Sequence, residues 1–284
     1  MEKALPEIYS GLSTQNVLAL AEGIMTTDSY PKIRSAKVGT GILSGVAKGA
    51  GMIEPNMATM LSFLMTDVQI ERDKLRMLFS EAVDESYNTI SVDHDQSTSD
   101  TALIFSSNLK PPVSDDVWRQ ALRDVCGQLA RDVVRNGEGT AHVLEVEVSG
   151  ALDKKTARAV GQAVVNSPLV KTAVFGNDPN IGRILAAVGS YLGNNAIPLD
   201  VSKLELDIGT LKVFHSGKFD LNGEKEDALF NYMKEAVMDE KKSFPPHEKA
   251  VHFHVRLGQG NSSAVVLGSD LSHEYISVNA DYRS

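Results

Sequence analysis

The sequence predicts an α/β chain in the layered, α+β sense, and three observations carry that prediction. Segments with a helical apolar period alternate with short strand-like segments, and glycine and proline punctuate the boundaries between them. The alternation shows no regular βαβ rhythm, so a purely parallel, doubly wound sheet is not indicated. With 284 residues and 42% apolar side chains, the chain is long enough for one large core or two ordinary ones.

The elements follow in order. Residues Ser13 to Met25 read as a helix with Val17, Leu20, Ala21 and Ile24 on one face. Met60 to Met65, apolar but for Ser62, reads as a buried strand, with a helix from Arg72 to Tyr87 whose stripe is Leu75, Leu78, Phe79, Ala82 and Val83. Thr101 to Ser106 is strand-like. Ser114 then caps a long helix carrying Val117, Trp118, Ala121, Leu122, Val125, Leu129 and Val133, with Gly137 as its stop. Val143 to Val148 alternates as a strand, and Ala157 to Val165 returns to the helical period until Ser167-Pro168 closes it. Leu185 to Leu192 reads as a short buried helix. Leu204, Leu206 and Ile208 alternate, as do Val251, Phe253, Val255 and Leu257. The charged stretch from Asn222 to Lys249, with Pro245-Pro246, reads as a surface hairpin and helix.

Composition narrows the function. A net charge of −9 argues against nucleic acid as the main partner, because phosphate binding needs a basic footprint. One cysteine, Cys126, precludes an intrachain disulfide and fits a reducing compartment. No apolar run approaches the ~20 residues that a membrane span requires.

Chemistry concentrates around Gly51 to Met60, Gly-Met-Ile-Glu-Pro-Asn-Met-Ala-Thr-Met. A turn built from Gly51, Pro55 and Asn56 places Thr59 just before the apolar strand, a setting that bends the backbone and then holds a hydroxyl still. If the Ala58–Thr59 bond were cut, Thr59 would carry a hydroxyl and a free α-amine, whose pKa of roughly 7.7–8.0 lets it act as the hydroxyl's own base. Lys48, among the small residues Gly45 to Gly51, suits a carboxylate or carbonyl ligand; its pattern lacks the full phosphate-loop spacing, and a solvated turn is the plain alternative. Glu138 lies between Gly137 and Gly139 and reads either as an exposed carboxylate in a helix-terminal turn or as a contact for a substrate ammonium. The Asp93 to Asp100 segment offers three carboxylates and His94, but fits neither a calcium loop nor a two-histidine zinc site; a hydrogen-bonded loop is the better reading. The remaining histidines are scattered, and surface positions are expected for them. Phe175 to Arg183 reads as a dense turn leading into a helix, and Val278 to Ser284 as a frayed tail or a polar wall.

The run from Lys48 to Leu61 strongly resembles the hallmark of the ornithine acetyltransferase family of arginine-biosynthesis bifunctional proteins, the glutamate N-acetyltransferases. Further matches keep the family's order: Ile24 to Asp28, Arg135 to Gly139, Ser167 to Thr172, Gly176 to Asn180, Gly182 to Ala187 and Asn279 to Tyr282. The resemblance covers essentially the whole chain. It implies self-cleavage at Ala58–Thr59 and an acetyl ester on Thr59, formed from N2-acetyl-L-ornithine and passed to L-glutamate. It implies a substrate site lined by Thr26, Thr27, Lys48, Thr59, Glu138, Asn279 and Ser284. No metal or organic cofactor is expected; acetyl-CoA would be a second acetyl donor in a bifunctional version. The expected fragments are an α-chain remnant, 1–58, and a β-chain, 59–284, with a second subdomain from about residue 150. Two α and two β chains would form a heterotetramer, with amino acids as the small-molecule substrates and no nucleic-acid or membrane partner. The compartment expected is the cytoplasm or the mitochondrial matrix.

The chain departs from the family's pattern at several points. Met1 falls where a long N-terminal portion would still be running, so the Thr-Gly pair that resembles an oxyanion hole is expected to be missing and the chain to be an N-terminally truncated copy. Ile181 stands for a usual Trp, His94 and Gln96 for a Gly and a Thr, and Ser284 for a Thr. Two rival readings follow: a Thr-nucleophile amidohydrolase or aminopeptidase, in which water replaces glutamate, and an inactive remnant.

Overall fold

A computed structural model describes residues 9, 11, 16–54, 60–96, 99–238 and 244–281. The α/β reading holds: two sheets and eight α-helices lie among the described residues. The first sheet has four strands in the order β1 (Lys32–Val38), β2 (Gly41–Lys48), β3 (Leu61–Val68) and β5 (Thr101–Lys110). β1, β2 and β3 are antiparallel neighbours, and β5 adds parallel to β3. The strand that follows the Thr59 segment is therefore internal. The second sheet runs β4 (Ile90–Ser91), β11 (Ser262–Ser269), β6 (Val143–Ala151), β10 (Val251–Arg256), β7 (Glu205–Ile208), β8 (Leu211–His215) and β9 (Lys218–Phe219).

The helices are α1 (Val17–Gly23), α2 (Arg72–Glu85), α3 (Asp115–Arg135), α4 (Lys154–Val165), α5 (Pro168–Phe175), α6 (Ile181–Asn194), α7 (Gly223–Glu235) and α8 (His273–Asp281). The predicted stripe of α2 is the buried one, Leu75, Leu78, Phe79, Ala82 and Val83. On α3, Trp118, Ala121, Leu122, Val125, Leu129 and Val133 are buried as expected, while Val117 is exposed. These faces join Leu43, Ala47 and Leu64 of the first sheet in one hydrophobic cluster. A second cluster sits between β6, β7, β10 and β11 and helices α4 and α6. Cys126 is buried and free.

Several expectations need correction. α1 is shorter than predicted and buries only Ala21; Val17, Leu18 and Leu20 stay exposed, because seven residues make only two turns and offer a short face to bury. Gly45 to Lys48 is the end of β2 rather than a turn, since β1 and β2 form a hairpin that the glycines and alanines conceal. Ser167-Pro168 opens α5 instead of merely closing α4: Ser167 Oγ accepts from Val170 N at 3.4 Å and Pro168 occupies the first turn, where its missing N–H costs nothing. α6 starts earlier than Leu185, because Asn180 caps it through Arg183 N at 3.2 Å. The Asn222 to Lys249 stretch yields the helix α7, with Leu229 and Met233 buried, and no hairpin among its described residues.

The exposed polar face of the second sheet is held by ion pairs, and one gives a pH prediction. Burial raises the pKa of Glu145, but His252 and Arg131 outweigh it and hold the carboxyl at about 2 against an ordinary 4.5. A depressed folded-state pKa means that this stabilisation is complete above about 4.5 and is lost as the pH falls toward 2. Urea unfolding of Glu145→Gln beside the parent should show a stability gap at pH 7 that narrows by pH 3. A gap independent of pH over that range contradicts the assignment.

Candidate active site

A buried charged cluster organises three of the predicted site segments. Lys32, at the start of β1, is fully buried and pairs with Asp28 Oδ1 at 2.5 Å. Its Nζ also donates to Asn136 Oδ1 at 2.6 Å, in the turn that ends α3. Asp28 Oδ1 accepts Gly49 N at 2.8 Å, one residue beyond Lys48, and Asp28 Oδ2 accepts Thr26 N at 3.1 Å. Burial opposes the charge on Asp28, but Lys32 and these amides prevail and hold its carboxyl below the ordinary range. The Thr26–Thr27 turn, the end of β2 and the Asn136 loop thus share one anchor.

Glu138 follows from that loop. Its N–H donates to Ala50 O at 2.8 Å, and its carboxylate accepts Asn279 Nδ2, from α8, at 3.0 Å. A Cβ on Gly51 would lie 2.6 Å from Glu138 Oε2, so Gly51 is the residue that lets this carboxylate reach the turn preceding Thr59. Of the two flanking glycines only Gly139 has a positive φ, +64, in the left-handed region, and a Cβ there would meet Tyr275 N at 2.3 Å. Glu138 is half-buried and hydrogen-bonded, so the reading as a free, exposed carboxylate is set aside. Thr27, Asn136 and Glu138 line one cleft, closed on its far side by Glu274 and Val278 of α8.

The Asp93 loop holds the other side of the turn. Asp93 accepts Met52 N at 2.7 Å and Ile53 N at 2.8 Å, and Tyr275 Oη donates to it at 3.4 Å. Glu54, the last described residue before Thr59, accepts Ser91 Oγ at 2.9 Å and Asn166 Nδ2 at 2.6 Å and contacts His94 Nδ1 at 2.9 Å. On the far side, Leu61 pairs with Lys48 and with Thr101. Of the predicted site residues, the structure brings Thr27 and Glu138 to one cleft, with Asn279 bonded to Glu138, Thr26 held beside Thr27 and Lys48 at the adjacent strand end. Ala58, Thr59 and Ser284 lie outside the described residues.

Sequence reasoning missed Lys32 and His142. A lysine in an alternating strand reads as solvent-facing, and nothing local marks it as a buried ion. His142 is buried, contrary to the surface position expected: its Nδ1 lies 2.7 Å from Asp270 Oδ2 and its Nε2 is 3.2 Å from Asn177 Oδ1. Asp270 also accepts Ala141 N at 2.9 Å, so this pair ties the Asn177 turn to the start of β6.

The order of these segments along the chain is that of a known family, whose model, described as the ArgJ family, matches residues 1–284. The chain belongs to the ArgJ family. It is 40% identical over 264 residues to the arginine biosynthesis bifunctional protein ArgJ of Rhodococcoides fascians, covering 93% of this chain and 62% of that protein. It is 37% identical over 275 residues to ArgJ 2 of Clostridium acetobutylicum, covering 97% and 66%. The crystal structure of argJ from Bacillus halodurans superposes with a TM-score of 0.69 at 32% identity, over 79% of this chain and 100% of that one. The chain spans 62% and 66% of the length of the first two relatives. All three organisms are bacteria, which gives the mitochondrial option no support. Among the described residues no helix is long and apolar enough to cross a membrane. Membership of a family named for arginine biosynthesis accords with a transferase of amino-acid biosynthesis.

Proposed function

We propose that this chain transfers the acetyl group of N2-acetyl-L-ornithine to L-glutamate through an acetyl ester on Thr59, within arginine biosynthesis. The observation that carries the reading is the Glu138–Asn279 pair packed against Gly51. Residues far apart in sequence, all at family positions, converge on the turn that leads to Thr59. In this reading the Thr59 hydroxyl first attacks the Ala58 carbonyl, the amide becomes an ester, and water resolves it into fragments 1–58 and 59–284. The freed α-amine of Thr59 then takes the hydroxyl proton as the hydroxyl attacks the acetyl carbonyl. Ornithine leaves with the proton, and the glutamate amine attacks the ester in the second half-reaction. Lys48 suits the substrate carboxylate and Glu138 its ammonium; Thr26, Thr27, Asn279 and Ser284 complete the polar wall. Two copies of each fragment form the assembly. The chemistry needs no metal or organic cofactor, and acetyl-CoA is the second donor if the chain is bifunctional.

Product analysis tests the reaction. With acetylornithine and glutamate, ornithine and acetylglutamate should appear together; ornithine with acetate, indifferent to glutamate, would mean the amidohydrolase instead. Lys48→Ala should raise KM for acetylornithine at least about tenfold, since losing a charge-assisted hydrogen bond removes roughly 1.5–3 kcal/mol. Unchanged kinetics in a folded, cleaved variant would return Lys48 to a strand-end residue without a ligand.

A further inference from the structure

A second buried lysine takes no part in the reaction described above. Lys171, on α5, is almost wholly buried, and its Nζ meets carbonyl and hydroxyl oxygens. It donates to Val92 O at 2.8 Å, to Ser269 O, and at 3.4 Å to Ser269 Oγ. Ser269 Oγ in turn donates to Val92 O at 3.2 Å. An ammonium has three protons and no acceptor, so three oxygens at the ends of β4 and β11 use it fully. From Val92 the contacts run straight to the turn before Thr59. Val92 N donates to Ile53 O at 2.6 Å, and Met52 N and Ile53 N donate to Asp93. Val92 and Asp93 therefore grip Ile53 by both its carbonyl and its amide. Met52 sits at φ +55, in the left-handed region that a residue with a side chain rarely adopts, so the turn depends on these bonds for its shape.

We propose that Lys171 is a positioning residue for Thr59, its ammonium holding Val92 and Asp93 where they fix the turn that leads to the nucleophile. This rests on the acetyl-transfer reading above and adds a cation that touches no substrate. The carboxylates that favour its charge are Asp270, beside Ser269, then Asp93 and Glu54. Behind them, His142 lies against Asp270, Tyr275 Oη against Asp93 and His94 against Glu54. Arg183 of α6 bonds Leu169 O, earlier on α5. Burial outweighs the three carboxylates and brings the Lys171 ammonium down to about 8 from an ordinary 10.5. Above that pH the amine keeps two protons and turns a lone pair toward one of its three acceptors, so one contact becomes repulsive. The grip on Val92 then slackens, and with it the hold on the turn.

The test follows acetylglutamate formation by the purified chain and by Lys171→Met from pH 7 to pH 10. A misplacement of about 1 Å can cost about a hundredfold in rate, so kcat of the variant at pH 7 should fall at least about tenfold. KM for acetylornithine should change little, because Lys48 and Glu138 hang on the Asp28–Lys32 anchor instead. The ratio of parent to variant kcat should then narrow toward one by pH 10, as the parent loses a charge that the variant lacks throughout. Titrations common to both, that of the Thr59 amine among them, cancel in this ratio. A variant that is folded by urea unfolding yet stays uncut supports the assignment as well, since self-cleavage uses the same hydroxyl. Lys171→Gln, which keeps an N–H for Val92 O but no charge, serves if Lys171→Met does not fold. A folded, cleaved variant with unchanged kcat, or a ratio equal at pH 7 and pH 10, overturns the role of Lys171 alone. If the parent makes no acetylglutamate, the acetyl-transfer reading has failed and this one falls with it.

Discussion

Replacing Thr59 by alanine should leave the chain uncut at Ala58–Thr59 and abolish acetyl transfer. Both losses follow from one atom. Without Oγ, nothing attacks the Ala58 carbonyl, so no fragment starting at residue 59 forms. Without cleavage or hydroxyl, neither the ester nor its internal base exists. Removing the nucleophile of a covalent mechanism costs up to about 10⁶-fold in kcat, and what remains reflects binding alone. Thr59→Ser keeps the hydroxyl and should retain cleavage and part of the activity. Gel analysis of the purified chain and a direct assay of acetylglutamate read both effects. Efficient cleavage of the alanine variant at the same bond would remove Thr59 from the role of self-processing residue.

Replacing Lys32 by methionine should cost about 3–5 kcal/mol, the usual penalty for breaking a buried pair from one side. That is a large part of the roughly 5–15 kcal/mol by which a folded protein is stable. Asp28 would keep its charge in a site with no water, and Asn136 Oδ1 would lose its strongest donor. The effect should also reach the site, because Asp28 holds Gly49 N and Thr26 N. Pairing Lys32→Met with Asp28→Leu removes both charges and should recover part of the loss, since an apolar pair often matches a buried ion pair. Urea unfolding of the single and double variants decides it. A single-variant loss under about 1 kcal/mol, the range of exposed pairs, would mean that the pair is solvated.

The sequence shows the long amphipathic elements best. α2 and α3 are legible because their apolar residues recur with the helical period over many turns, and burying those stripes is what forms them. β3 and β6 are legible from short apolar or alternating runs. The β1–β2 hairpin is not. Gly41, Gly45 and Ala47 carry little strand signal, and their small size is set by packing: a Cβ on Gly45 would meet Leu129 Cδ1 at 2.9 Å. β11 is hidden because it opens on two serines: Ser262 pairs with Ala151, and the register shifts before Ala264 meets Val148. At the site, Glu138 and Lys48 stand out locally through their glycines. Lys32, His142 and the Asp93 clamp do not, because each acquires its meaning from a partner distant in sequence. Asp93 reads as part of an acidic loop until the N–H groups of Met52 and Ile53 are seen to point at it.

The covalent ester on Thr59 is the central claim, and mass spectrometry of the enzyme tests it most directly. Purified protein is mixed with N2-acetylornithine without glutamate, quenched in acid and digested. One acetyl group should appear on the fragment that begins at Thr59, on its hydroxyl, and should vanish when glutamate is added before the quench. A Thr59 fragment that stays unmodified while acetylglutamate accumulates would mean direct transfer between the two amino acids, and would contradict the account.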